Sequence, residues 1–482
     1  MELVVGVDLA TADVRVAASD PTGKIHAFSS RPLAAPSSPR PGWWEQDAGS
    51  WWPATSEALR ELNFRLGRRG GDVAAISVSA TSGTALMLDA SAEPIGPALT
   101  YADQRAAAEA EQAQAAASEA WTALGLTVAP SFSLPKWAWL LRHRRDRQGV
   151  RLAHASDVLV TKLTGALSPT DSSHALKSGY DPVRRSWVAE ALVALDIDFE
   201  LLPDVGLPGE PVGAVSRQAA EVTGLSAGVQ VRLGMTDSCA AQLAAGAAEP
   251  GQFVSVLGST LVLKGASTDL VADPAGAVYS HYHPAGWWLP GGASSTGGQA
   301  LPAAFAGRSL AELDDEAAAR GPAGVVTYPL LGRGERFPFA VPDAEGFRLG
   351  IPADEVENYR SILEGVAFVE RCGYERLRTL GAAPAGVLTS AGRGSTSAVW
   401  NRIRATVLGR PIVAKPEAGT ALGACILAAS GTLHRDLVTA TAAMSAGGRT
   451  FEPYPREAQA LEGSYQRFLA EVAGRGWIRG TQ

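Results

Sequence analysis

Gly234-Met-Thr-Asp237-Ser-Cys-Ala-Ala-Gln-Leu-Ala-Ala-Gly246 and, shortly after it, Val254-Ser-Val-Leu-Gly258-Ser259-Thr260-Leu-Val-Leu-Lys264 decide how this chain is built. The first stretch puts a carboxylate at the mouth of a small-residue helix. The second alternates apolar residues about a small-residue turn, the pattern of a β-hairpin. A hairpin of the same kind opens the protein, Val4-Val-Gly-Val-Asp8-Leu-Ala-Thr11-Ala-Asp-Val-Arg-Val16, again with an aspartate beside the turn. Its recurrence about 245 residues later predicts two similarly built halves that jointly hold a phosphorylated ligand.

Working outward, residues 3–19 read as two strands, 73–79 and 85–89 as two more, and Ser50 to Leu66 as a helix. Ala-rich helices are expected over 104–124 and 134–145, and another over 155–163. Ser216 is placed to cap a short helix, Arg217–Thr223, that Gly224 ends. Glu249-Pro-Gly251 breaks the chain, and a boundary near 247 divides it into 1–246 and 247–482. Beyond it, helices at 354–380, 397–408, 420–431 and 455–475 alternate with strands, which argues α/β layers.

At 482 residues the chain exceeds a single core. A net charge of −7 argues against nucleic acid, which requires clustered cations. The densest basic run, Arg142-His-Arg-Arg145-Asp-Arg147, reads as a solvated helix end. Three widely spaced cysteines offer no metal pair and suit a reducing compartment. With no basic-then-apolar leader and no run of 18 apolar residues, the expectation is a cytoplasmic protein without a membrane partner, monomeric or homodimeric.

Asp8 sits among valines, where a charge is costly unless partnered. It reads either as a strand-end carboxylate managing Mg²⁺ through water, with Thr11 facing phosphate, or as a turn aspartate bonding its own backbone. Asp237 reads as a helix N-cap, or as an acceptor for a hydroxyl proton. A positive helix end weakens a base, but phosphoryl transfer asks more for orientation than for deep proton abstraction. Gly258, Ser259 and Thr260 form a small anion nest or a plain turn. Gly392 and Gly394, with Ser397 and Trp400 following, resemble a Gly-rich strand-to-helix turn, although neither GxGxxG nor a Walker sequence is present. Ser82 could bind a polyol or belong to a structural turn. Trp43, Trp44, Trp51 and Trp52 suit a core or a wall over a sugar. His281-Tyr-His283 lacks a third ligand for a metal.

Taken together these segments resemble the FGGY carbohydrate kinases, nearly end to end. Val7-Asp8-Leu-Ala-Thr11 is similar to the family's first phosphate hairpin, and Gly42-Trp-Trp-Glu-Gln-Asp47 to its G-W-x-E-Q-D loop. Ser131-Phe-Ser-Leu-Pro-Lys136-Trp-Ala-Trp-Leu-Leu-Arg-His143 resembles its P-K-x-x-W-L signature, and Gly234-Met-Thr-Asp237 its G-x-x-D. Leu363-Glu-Gly-Val-Ala-Phe368, Ala391-Gly-Arg-Gly-Ser395 with Trp400, and Glu417-Ala-Gly-Thr-Ala-Leu-Gly423 follow in the family's order. The resemblance implies two ribonuclease-H-like (actin-like ATPase) domains, an active site in the cleft between them, and ATP with Mg²⁺ as cofactors. The N-terminal domain would hold the sugar and the C-terminal domain ATP. Asp237 would be the general base. Asp8 would serve Mg²⁺, Thr11 and Gly258 to Thr260 the phosphates, and Ser397 the nucleotide. Trp400 would stack on adenine above Gly392 and Gly394.

Thr81-Ser82-Gly-Thr84, His174 to Tyr180 and Arg333-Gly-Glu-Arg-Phe-Pro338 are similar to the family's short D-ribulose kinases, also labelled xylulokinase-like, whose serine matching Ser82 contacts sugar. The expected activity is transfer of the ATP γ-phosphate to the C5 hydroxyl of a ketopentose, D-ribulose first. D-xylulose or another polyol is the alternative, as is an inactive sensor on the same scaffold. Two departures bear on turnover: Ala10 replaces the hairpin's usual glycine, and Arg393 the middle glycine of the adenosine turn.

Overall fold

Leu3–Leu9 is buried along its whole length, as a Val-rich strand inside a layered sheet must be. In the computed structural model, which describes residues 2–144 and 146–478, it forms a hairpin with Asp13–Ser19. Arg145 of the basic run lies outside the described residues. The sheet runs in the order Pro211–Ala214, Gln230–Thr236, Val73–Ala80, Leu3–Leu9, Asp13–Ser19, Ile25–Pro32. Its three central strands are parallel. Leu9 pairs with Ala80 and Thr236 with Ala80, so their carboxyl ends meet on one edge.

A second sheet repeats this plan. From Trp288–Ala293 it continues through Leu261–Gly265, Phe253–Leu257, Leu388–Ala391 and Ile412–Ala414 to Arg449–Phe451. The pairings repeat too: two antiparallel, two parallel, one antiparallel. The recurring hairpin predicts this common build, and the units have the ribonuclease-H-like, actin-like α/β plan that the resemblance implies.

The first unit comprises Met1–Ala244, His281–Gly286 and Gly419–Ala446; the second comprises Ala245–Ser280, Trp287–Ala418 and Gly447–Gln482. The boundary expected near 247 falls beside the first crossing, and the chain returns to the first unit at the other two segments. In the first unit Trp51–Leu66 and Ala155–Thr164 bury apolar residues against one face of the sheet. Thr420–Ala429 covers the other so closely that a Cβ on Gly6 would lie 2.1 Å from the Ala421 carbonyl oxygen. In the second unit the core gathers around Glu355–Thr379, Ala398–Leu408 and Pro455–Gly474.

Local signals place most elements. Ser216 accepts from the Ala219 N–H, and Gly224 ends that helix at φ +75°, a left-handed angle suited to glycine. The helix expected over 104–124 is two, Ala107–Ala116 and Ser118–Ala123, because Ala117 leaves the helical region at φ −135°. The half-exposed edge strand Ile25–Pro32 carries too many polar residues to announce itself. No helix among the described residues is long and apolar enough to cross a membrane.

Candidate active site

Asp8 and Asp237 both stand on the carboxyl edge of the first unit's parallel strands, where ligands of α/β sheets bind. Asp8 is 2% exposed. Its Oδ2 accepts from the Arg15 guanidinium at 3.4 Å, and its Oδ1 has no hydrogen-bond partner. Burial pushes its carboxyl up to about 7, the Arg15 charge opposes this, and the charges of Asp237 and Asp13 add to it. Asp237 is half-buried and opens the helix Asp237–Ala244, its Oδ1 accepting from the Ser238 N–H at 2.7 Å. Two helix amino termini converge here. The Thr420 hydroxyl lies 3.5 Å from the Asp237 carbonyl, and a Cβ on Gly423 would fall 1.9 Å from the Ala240 carbonyl. Glycine and alanine thus let two positive helix ends approach the carboxylate edge.

Thr11 is half-buried in the hairpin turn, and its carbonyl accepts from the Gln46 side chain at 2.8 Å. That bond explains the glutamine of the Glu-Gln-Asp loop. Of the tryptophans, Trp51 is core, whereas Trp43 packs under the Arg105 guanidinium at 3.9 Å and edge-on to Trp139. Ala10 has no positive φ, since the non-glycine residues that do, among those described, are Ala92, Arg185 and Asp196. Its methyl therefore brings no backbone strain.

Ser82 is half-buried with an unpartnered Oγ, and Gly83 beside it has φ +82°. Lys136 pins this turn by donating to the carbonyls of Gly83, Thr100 and Ser131 at 2.9, 2.6 and 3.0 Å. Burial pulls its ammonium down to about 7. Sequence reasoning missed the exposed Tyr101, whose Cα lies against Gly83, and a buried network beneath the edge. In that network His174 Nδ1–H donates to Asp171 at 2.5 Å and Nε2–H to the Ala80 carbonyl at 3.2 Å. Burial opposes the charge on His174, but the Asp171 carboxylate prevails and holds the imidazole above its ordinary value. The Ser173 hydroxyl accepts from the Thr236 N–H, fixing the residue before Asp237. The unpartnered hydroxyls of Ser77, Ser79, Ser172 and Thr236 belong to the same strands and the adjoining segment.

In the second unit Gly258 and Thr260 are half-buried and Ser259 exposed, at the turn between two sheet strands. Gly392, at φ +81°, and Gly394 pack on Leu257, where a Cβ would fall 2.8 Å from its carbonyl oxygen and 2.5 Å from its Cγ. Arg393 between them is exposed and fills nothing. Ser397 caps Ala398–Leu408 by accepting from the Trp400 N–H. Trp400 corrects an expectation: it is 2% exposed, its indole N–H donates to the Leu363 carbonyl at 2.9 Å, and its ring belongs to the core. Seated so, it has no open face for a base and instead floors the glycine turns, its ring edge 3.9 Å from where a Cβ on Gly298 would stand.

Among the described residues no group of three His, Cys, Asp or Glu could hold a metal ion. Mg²⁺ needs less from protein, since it keeps several waters and uses one or two carboxylates with phosphate oxygens. The unpartnered Asp8 Oδ1 beside the Asp237 charge fits that demand.

Residues 3–244 match the N-terminal domain, and 253–432 the C-terminal domain, of the FGGY family of carbohydrate kinases. The chain is similar to the xylulose kinase of Streptomyces rubiginosus, 30% identical over 474 residues that cover 95% of this chain and 94% of that protein. It is 29% identical to the xylulose kinase of Escherichia coli (strain K12) over 88% of this chain and 89% of that one. The crystal structure of xylulose kinase from Rhodospirillum rubrum superposes with a TM-score of 0.86 at 29% identity, covering 98% of this chain and 99% of that one. With both domain models matched in order over units of the same plan, the chain belongs to the FGGY family of carbohydrate kinases, enzymes that phosphorylate sugars with ATP.

Proposed function

We propose that this sugar kinase transfers the γ-phosphate of ATP to the terminal C5 hydroxyl of a ketopentose. The observation that carries the reading is the buried Asp8, with one carboxylate oxygen unsatisfied, on the same strand edge as Asp237 and two helix amino termini. In this reading Asp237 accepts the proton of the sugar hydroxyl as the phosphate is transferred. A carboxylate suffices, because the loose transition state needs orientation and charge stabilisation first. Ser82 and the polar edge around it hold sugar hydroxyls, and Thr11 faces phosphate. The second unit takes ATP on Gly258 to Thr260, Gly392, Gly394 and Ser397, with Trp400 as the floor of that site and not a stacking ring. Asp8 would hold Mg²⁺ through water, and the ion when bound neutralises phosphate charge.

The relatives named above are xylulose kinases, which favours D-xylulose. Thr81-Ser82-Gly-Thr84, similar to the matching turn of the family's short D-ribulose kinases, favours D-ribulose. The two sugars differ only in configuration at C3, so one hydrogen bond can separate them. The full-length match to kinases makes an inactive sensor the weaker alternative. An ADP-release assay with purified protein, Mg²⁺, ATP and a panel of pentuloses and polyols tests the proposal. ADP release above background with one ketopentose is expected. Release with no sugar of the panel would reject the assignment, and the ratio of kcat/KM for D-xylulose and D-ribulose selects the substrate.

A further inference from the structure

We propose that Glu335 is the positioning residue for the phosphate turn Gly258-Ser259-Thr260. The inference rests on the reading that this turn touches the γ-phosphate. Glu335 is 2% exposed in the second unit, far from that turn in sequence. Its Oε2 accepts from the hydroxyls of Ser294, Thr296 and Tyr328 at 3.0, 2.9 and 2.8 Å. Its Oε1 accepts from the backbone N–H groups of Ser295, Arg336 and Phe337. A carboxylate accepts at both oxygens, and the six donors share its roughly four lone-pair sites. A buried charge is expensive, and these bonds are what keep it tolerable.

Three of those donors belong to one segment, Ser294 to Thr296, and that segment continues as a strap over the turn. The Leu261 N–H donates to the Thr296 carbonyl at 2.8 Å and the Ser294 N–H to the Leu261 carbonyl at 2.9 Å. The Gly298 N–H then donates to the Gly258 carbonyl at 3.0 Å and the Gln299 N–H to the Ser259 carbonyl at 3.1 Å. The contact is backbone on backbone, since a Cβ on Gly297 would fall 2.4 Å from Thr260 Cα and one on Gly298 2.6 Å from the Gly258 oxygen. The Arg336 guanidinium adds a second pin to the Ser294 carbonyl at 3.0 Å. Glu335 therefore holds the strap and the strap holds the turn, so the N–H and hydroxyl donors of the turn are aimed before phosphate arrives. Such preorganisation lets donors stabilise charge without reorganising during the reaction.

Glu335→Ala and Glu335→Gln test this in the full chain, with Ser294→Ala/Thr296→Val as the variant to use if the alanine protein does not fold. The affinities for Mg·ADP and for the Mg complex of the β,γ-imido analogue of ATP are measured beside steady-state kinetics. Glu335→Ala should lose about 100-fold in kcat/KM for ATP and lose its preference for the analogue over ADP, with ADP affinity and the KM for sugar unchanged. Glu335→Gln should fall between, because its amide carbonyl still accepts from the three N–H groups while its NH₂ can donate to hydroxyls that turn to accept. Equal losses for ADP and analogue, or unchanged kinetics and affinities in the variants, would overturn the proposal. A wild-type protein that releases no ADP with any sugar would instead reject the functional reading, and the affinity ratio would still decide the role of Glu335.

Discussion

Replacing Asp8 by Asn should stabilise the protein while abolishing its activity. Asp8 is 2% exposed, and burial moves its carboxyl from 3.8 to about 7 in the folded chain. The folded state therefore binds this proton more tightly than the unfolded state. The group's contribution is fully favourable below about pH 4 and is lost as pH rises through 7. Relative to the protonated form, the ionised carboxyl opposes folding by about 4 kcal/mol at pH 8 and by about 1.5 kcal/mol at pH 5. Asparagine keeps the shape, can still accept from Arg15 and carries no charge, so Asp8→Asn should escape this penalty. The gain in melting temperature over wild type should be on the order of 10 °C at pH 8 and only a few degrees at pH 5. Differential scanning calorimetry between pH 5 and 9 reads both numbers. ADP release by the same samples should fall to background, and Mg·ADP should raise the melting temperature of the wild type more than that of the variant. Parallel melting profiles for the two proteins, or a variant less stable at pH 8, would mean that Asp8 is not a carboxyl held at a cost for function.

Asp237→Ala should cost about 10²–10⁴-fold in kcat by removing the acceptor of the hydroxyl proton, without lowering the melting temperature; retention of most activity would reject that role. Trp400→Ala should empty part of the second core and destabilise by about 3–5 kcal/mol in urea unfolding. A selective rise in the KM for ATP at unchanged stability would restore the ring to the nucleotide. Arg404 and Glu370 are both fully buried and paired through 2.6 and 2.8 Å bonds, tying Ala398–Leu408 to Glu355–Thr379. Arg404→Ala should strand the Glu370 charge and destabilise by about 3–5 kcal/mol, and the double variant Arg404→Met/Glu370→Leu should recover much of that loss.

Features set by neighbouring residues were legible in the sequence. The two hairpins are written in apolar alternation around small turns, and the capped helix Arg217–Thr223 in Ser216 and Gly224. Features set by distant partners were not. Nothing within Gly419–Ala446 marks it as part of the first unit; the requirement appears at Gly6, whose missing side chain admits that helix. Trp400 occupies a helix position where core and ligand place the same demand on sequence, and burial against Leu363 decided for the core. His174 and Glu335 lay inside motifs read for their resemblance alone. Their partners, the Ala80 carbonyl and the Ser294 to Thr296 hydroxyls and N–H groups, lie 94 and about 40 residues away.

The two units repeat one scaffold with opposite chemistry, and the difference is concentrated in a few positions. Leu9 pairs with Val14 at the end of the first hairpin, and Leu257 with Leu261 at the end of the second, across a turn one residue shorter. One residue before each of these leucines stands Asp8 in the first unit and Val256 in the second. The first hairpin so gains a buried charge that can attract a cation and, with Asp237, a place for a proton. The second carries no carboxylate at its turn, only glycine and hydroxyl residues under a strap held by Glu335, whose two oxygens are occupied by six donors. A phosphate approaching that turn meets donors, whereas a carboxylate there would repel it. On the proposed reading, the duplicated topology supplies two ligand edges, and the residue at the strand end adds a carboxylate to the first while the second keeps only donors. The raised Asp8 carboxyl is the energetic trace of that assignment: a charge unfavourable to the folded chain alone, and useful once a cation and a sugar hydroxyl are beside it.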